Sequence, residues 1–350
     1  MTFYWLFFSF FSFLSVSTIK LEKNLSFALK SILIFFLIIF IGLRHKVGGD
    51  WDIYLYDFYK NIEYFNLLNF TYVRDFGYEF LSYIIYHLDL RIYGLNLILA
   101  SIFILSLLKF SNNFSDNIWL SLTIAFPYLI LVVSMGYVRQ ATALAFILLF
   151  LVSFKNNKIL YSSIYLLTAV LFHKSAIIII PIYLVTFLKF NIKAIILFIF
   201  ISAFAFVIIF PEIDRIIAGY LFEGSKYVSS GVYYRIALNI FAGLLFIIFY
   251  KKIKLNNNLD YFIIIIFLIN LLLLLFSFSF STLVDRLIIN FTFIQIIVFS
   301  RLYLVNIKYK ILINLFVILI YFLLLIIWFN FSNHSYAWIP YDNLLFQLIK

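Results

Sequence analysis

Cysteine is absent from the 350 residues, which excludes disulfides, thiolate metal sites and cysteine nucleophiles. Histidine is scarce: His45, His87, His173 and His334 lack metal-ligand spacing, so neither a bound transition metal nor any other cofactor is expected. Only 12% of residues are charged, and four prolines and ten glycines leave no Pro/Gly/Ser-rich linker and no charge run to mark a second domain. A single transmembrane domain over residues 1–350 is therefore expected, with long loops at about 44–91 and 211–235. What fills the chain instead is oil. Hydrophobic residues make up 66%, mean hydropathy is +1.11, and the apolar runs last roughly 15 to 20 residues, which excludes a water-soluble globule. The 22% aromatic content follows in part from base composition and is no signal of a ligand site.

The N-terminal run has no basic leader and no small-residue cleavage site, so it is expected to be a retained first span. Spans are predicted at about 2–18, 27–43, 92–108, 118–134, 141–154, 159–172, 176–188, 194–210, 236–250, 261–280, 287–300 and 311–329, about twelve transmembrane helices in an all-α polytopic integral membrane protein. The segment 78–90 is amphipathic and at ~1.5 Å per residue falls short of a ~30 Å hydrocarbon core, so it reads as a re-entrant or interfacial helix.

Loop charge supports that reading. With 78–90 not crossing, one face gathers 14 basic residues against three acids, a balance of +11, and the other face is balanced at twelve of each. The positive-inside rule makes the lysine face cytoplasmic and places the 44–91 loop and both termini outside. Seven of the eight arginines fall on the outer face, while thirteen of eighteen lysines fall inside. Topology is indifferent to that choice, but a planar guanidinium fork suits phosphate or carboxylate, so the outer face reads as an anion site.

The sharpest switch from oil to charge is Leu43 to Tyr59, where Arg44, His45, Lys46, Asp50 and Asp52 surround Gly48-Gly49. A glycine pair lets the backbone turn tightly back toward the membrane. Arg139-Gln140 and Arg286 lie at short turns, and His173-Lys174 separate two runs of 14 and 13 residues that are too short to span, which sets their turn in a recess. Against these readings stand a simple Asp-capped turn at 48–50, local ion pairs Arg74–Asp75 and Asp285–Arg286, and an interfacial belt for Tyr54, Tyr56, Tyr59, Tyr64, Tyr72 and Tyr78. His45 and His87 read as bystanders.

GLRHKVGGDWDIY, DFGYEFLSYII, MGYVRQATALAF, LFHKSAIIIIPIY and DRLIINF, in this order between about Gly42 and Phe299, resemble the EpsG family of Wzy-type polysaccharide polymerases. Trp51 stands where the family often has tyrosine or phenylalanine, and 211–234 carries no pattern of the family.

The resemblance implies a GT-C-like, metal-independent membrane glycosyltransferase of the bacterial inner membrane. Its substrate would be an undecaprenyl-pyrophosphate-linked oligosaccharide repeat unit, and its product O-antigen, capsule or exopolysaccharide; lipopolysaccharide assembly is one such setting. Membrane lipid, a chain-length regulator and a flippase would be its partners, and nucleic acid would not. In such an enzyme the acceptor hydroxyl needs a base, for which His173, Glu79 and Asp50 are the candidates. Arg139, Arg286 and Arg44 suit the pyrophosphate, and Gln140 with Trp51 suits the sugar. Residues 212–235, ending at Arg235, are long enough for a lid. The competing reading is a lipid-linked glycan flippase or other polysaccharide transporter, which should show repeat halves and mid-membrane charge. A membrane acyltransferase has only the histidine in its favour.

Overall fold

The computed structural model describes residues 1–17, 22–60, 75–187, 229 and 231–349. Among them the chain is helical, with no strand and one isolated bridge between Arg44 and Asn343. A helix satisfies all its own backbone donors and acceptors, which is what an apolar run must do in lipid. In chain order the helices are α1 (Thr2–Val16), α2 (Lys23–Gly42), α3 (Trp51–Lys60), α4 (Phe76–His87), α5 (Arg91–Phe114), α6 (Ile118–Gly136) and α7 (Val138–Lys155). There follow α8 (Ile159–Phe172), α9 (Lys174–Thr186), α10 (Val232–Ile248), α11 (Asn257–Ser277), α12 (Ser281–Phe291), α13 (Phe293–Val305), α14 (Ile307–Phe331) and the short α15 (Leu344–Ile349).

Five of these, α5, α6, α7, α11 and α14, are long and apolar enough to cross a membrane, and the bent pair α12–α13 makes a sixth. Five shorter apolar helices, in α1, α2, α8, α9 and α10, join them. The chain is thus an all-helical, membrane-embedded protein. Of the twelve predicted spans, the one at 194–210 lies outside the described residues and the other eleven fall on helices. At ~1.5 Å per residue α3 and α4 reach ~15 and ~18 Å, and α4 covers the amphipathic segment expected not to cross. The buried core centres on α5, α6 and α7, with α5 packed on α2 and α7, α7 on α8, and α10 on α11 and α13.

Three spans that read as uniform runs are irregular. From Phe126 to Val133 α6 is a π-helix beginning at Pro127, and it ends at Gly136. Tyr137 then leaves helical geometry, and α7 restarts at Val138 with no side-chain cap, which puts Arg139 and Gln140 in its first turn. The α12–α13 span bends by 47° at Thr292, and α9 opens as a 3-10 turn at Lys174.

Residues after α14 fold back over the Gly48-Gly49 loop. Ala337 O accepts from Gly48 N at 2.9 Å, Asp342 O from His45 N at 3.0 Å, and Leu43 O from Leu344 N at 2.8 Å. Trp338 is the pin: its Nε1–H donates to Leu131 O at 3.0 Å in the π-helix, and its carbonyl accepts from Tyr4 Oη at 2.7 Å. Gly48 sits at φ +107, and a Cβ there would stand 2.5 Å from Met135 O. One end of the bundle therefore gathers the glycine loop, the α6–α7 break and the C-terminal strap.

Candidate functional site

At this end two opposite charges stand without bonded partners. Asp50, at the start of α3, is half-buried and makes no side-chain hydrogen bond among the described residues. Burial pushes its carboxyl above the ordinary value; the charges of Arg286, His334 and Arg139 act in the opposite sense, so all three cationic groups face it. The Arg286 side chain, in α12, is exposed and its guanidinium has neither an ion pair nor a hydrogen bond among the described residues.

His173 lies in the turn between α8 and α9, outside both apolar helices. Burial first, then Arg286, Arg139 and Lys174, push its pKa down to about 3. The imidazole is neutral at physiological pH, as expected, but so weakly basic that it is a poor proton acceptor. Its Nδ1 is also engaged, taking the Ser175 backbone N–H at 3.2 Å and lying 2.8 Å from Ser175 Oγ.

The other expected ligands have structural work. Arg139 pairs with Asp57 at 2.8 Å and Asp75 at 3.5 Å, and it lies over the rings of Tyr78 at 4.6 Å and Tyr54 at 5.6 Å. It therefore ties α3 and α4 to α7, and two carboxylates already occupy its fork. Tyr54 and Tyr78 accordingly belong to this cage and not to an interfacial belt. Arg235 is paired with Asp285, Nε to Oδ1 at 2.6 Å, so the expected Asp285–Arg286 pair does not form. Arg44 is 2% exposed and donates to Ile41 O at 2.7 Å and Val47 O at 3.2 Å, closing the C-terminus of α2 without a fork to offer an anion. Trp51 is buried against Arg44, His45 and Tyr93, which leaves no open face for stacking a sugar.

Gln140 Nε2 donates to Arg286 O at 3.1 Å and stands 3.5 Å from Ser175 Oγ, so it joins α7 to α9 and α12. Glu79 lies in the first turn of α4. Arg74 and most of the 212–235 lid, Glu212, Asp214, Arg215, Glu223 and Gly224 included, lie outside the described residues. The sequence reading missed His334, Ser175 and Asn290. A polar pair in LFHKSA and DRLIIN, each inside an apolar run, was the available signal for the last two.

An all-helical membrane protein with a free guanidinium, a half-buried carboxylate and a neutral imidazole at one end is built to hold an anion beside a proton acceptor. The EpsG family model matches residues 27–343, nearly the whole chain, and the chain belongs to that family, which includes Wzy-type polymerases. No curated protein and no solved structure matches it.

Proposed function

We propose that this chain is a Wzy-type polysaccharide polymerase that joins undecaprenyl-pyrophosphate-linked repeat units on the outer face of the bacterial inner membrane. The lysine-bearing ends of the helices then lie in the cytoplasm, the chain crosses about twelve times in a GT-C-like arrangement, and the glycine-loop end faces outward. The observation that carries the reading is the unpaired Arg286–Asp50 couple in a family of glycan polymerases.

The acceptor hydroxyl attacks the anomeric carbon of the donor sugar. A C–O bond forms, the bond from that carbon to pyrophosphate oxygen breaks, and the hydroxyl proton passes to Asp50. Charge develops on the departing undecaprenyl pyrophosphate, where the Arg286 fork neutralises it in a low-dielectric recess. The base is Asp50 and not His173, because a carboxyl raised by burial is the better acceptor of the two. Arg139, Arg235 and Gln140 hold the frame of the recess.

Two variants test the assignment in cells whose surface glycan is resolved on a gel. Arg286→Lys loses the bidentate contact and Asp50→Asn loses the base; each collapses the polymer ladder to a single repeat unit at normal protein abundance. A full ladder in both variants would refute the proposal, and lipid-linked units accumulating on the inner side would make the chain a transporter.

A further inference from the structure

Asn290 in α12 is buried, and its Nδ2 donates to Ser175 O at 3.2 Å, Ser175 Oγ at 3.0 Å and Leu287 O at 3.3 Å. Two of those acceptors are carbonyls, which can only accept, so the amide orientation is fixed. Gln140 Nε2 points at the same Ser175 Oγ from 3.5 Å. A hydroxyl has one proton to donate, and with its oxygen receiving from Asn290, the Ser175 proton goes to the remaining neighbour, His173 Nδ1 at 2.8 Å. The Ser175 backbone N–H also points at Nδ1, from 3.2 Å, and a backbone N–H is never an acceptor. Both contacts require a lone pair on Nδ1. A neutral imidazole then carries its proton on Nε2, which has no protein partner among the described residues.

We infer that Ser175 and Asn290 are positioning residues that lock His173 as the Nε2–H tautomer, and that this N–H donates to an oxygen of the substrate pyrophosphate beside Arg286. The inference rests on reading the site as one that handles pyrophosphate. A neutral donor at that point adds directional hydrogen bonding next to cations without adding charge that would repel them. It also explains why a turn inside the bundle keeps a histidine, a serine and an asparagine together: no two of them suffice to set the proton.

Full-length protein in lipid nanodiscs, labelled with nitrogen-15 in histidine, reports the tautomer directly. The expected spectrum has His173 Nδ1 as the unprotonated ring nitrogen and Nε2 as the protonated one. Ser175→Ala broadens this into a mixture and lowers the polymerisation rate, and Ser175→Thr, which keeps the hydroxyl, restores both. His173→Gln places an amide N–H near Nε2 and retains part of the rate; His173→Leu loses roughly 100-fold, the usual effect of deleting one such donor. A proton on Nδ1 in the unaltered protein, or His173→Gln as inactive as His173→Leu, or Ser175→Ala indistinguishable in spectrum and rate, would overturn the inference. Failure of the underlying reading looks different, since the ladders of Arg286→Lys and Asp50→Asn would then be full while the tautomer spectrum stays as expected; that outcome also removes the pyrophosphate role of the His173 N–H.

Discussion

Asp50 carries the most direct consequence for pH. Its carboxyl is raised by burial and held down by Arg286, His334 and Arg139, so it takes up a proton at a higher pH than an exposed aspartate. A base works only when deprotonated, so polymerisation falls as pH drops through that raised value, and the acid limb of the rate profile lies above the ordinary carboxylate range of about 4. His334 is exposed on the strap, and His334→Gln removes one of the cations that favour the carboxylate. The limb should therefore move further toward neutral pH, which a pH–rate profile in reconstituted vesicles measures; an unmoved limb would take His334 out of the site. At this scale the sequence told the kinds of residue but not their partners. Arg139 finds Asp57 and Asp75 across long stretches of chain, and Arg235 finds Asp285 fifty positions away. Asp285 and Arg286 are adjacent in sequence, but successive residues of a helix do not face each other, and that leaves Arg286 free.

The elements were legible wherever an apolar run makes a helix compulsory in lipid, and illegible where tertiary contacts shape the helix. Pro127 is the one local cue to the π-helix, and the 47° bend at Thr292 has none in its neighbours. The strap was hidden for a different reason: residues 334–343 read as a polar tail, and only their hydrogen bonds to Leu43, His45 and Gly48 reveal a clasp on the glycine loop. That clasp separates the two glycines. Gly48 has positive φ, and a Cβ would meet Met135 O at 2.5 Å, whereas a Cβ on Gly49 would make only an ordinary 3.9 Å contact with Trp338. Gly48→Ala should thus destabilise the protein by about 2 kcal/mol or more, read as a lower melting temperature in detergent, while Gly49→Ala stays close to the unaltered protein. Equal melting temperatures would mean that the strap does not hold the loop as drawn. Trp338→Phe keeps the ring but strands the Leu131 carbonyl, at a cost of about 1–2 kcal/mol in the same assay.

For the whole molecule the orientation in the membrane follows from combining charge with contact. Lysine clusters place the 251–254 turn inside, and a +11 balance confined to one face is too large to be tolerated reversed. The strap is bonded to the glycine loop through Leu344 N to Leu43 O and Gly48 N to Ala337 O, so whatever side holds one holds the other. Because the chain has no cysteine, a single introduced thiol is an unambiguous reporter. Lys252 and His334 are both exposed, and neither has its side chain in a hydrogen bond or ion pair among the described residues, so Lys252→Cys and His334→Cys should fold normally. In intact spheroplasts a membrane-impermeant maleimide should modify the thiol at 334 and spare the one at 252; inverted vesicles should reverse the pattern. Modification of both from the same side would break the assignment of the lysine face to the cytoplasm. It would also move the Asp50–Arg286 site to the inner side, where a polymerase acting on exported repeat units could not reach its substrate.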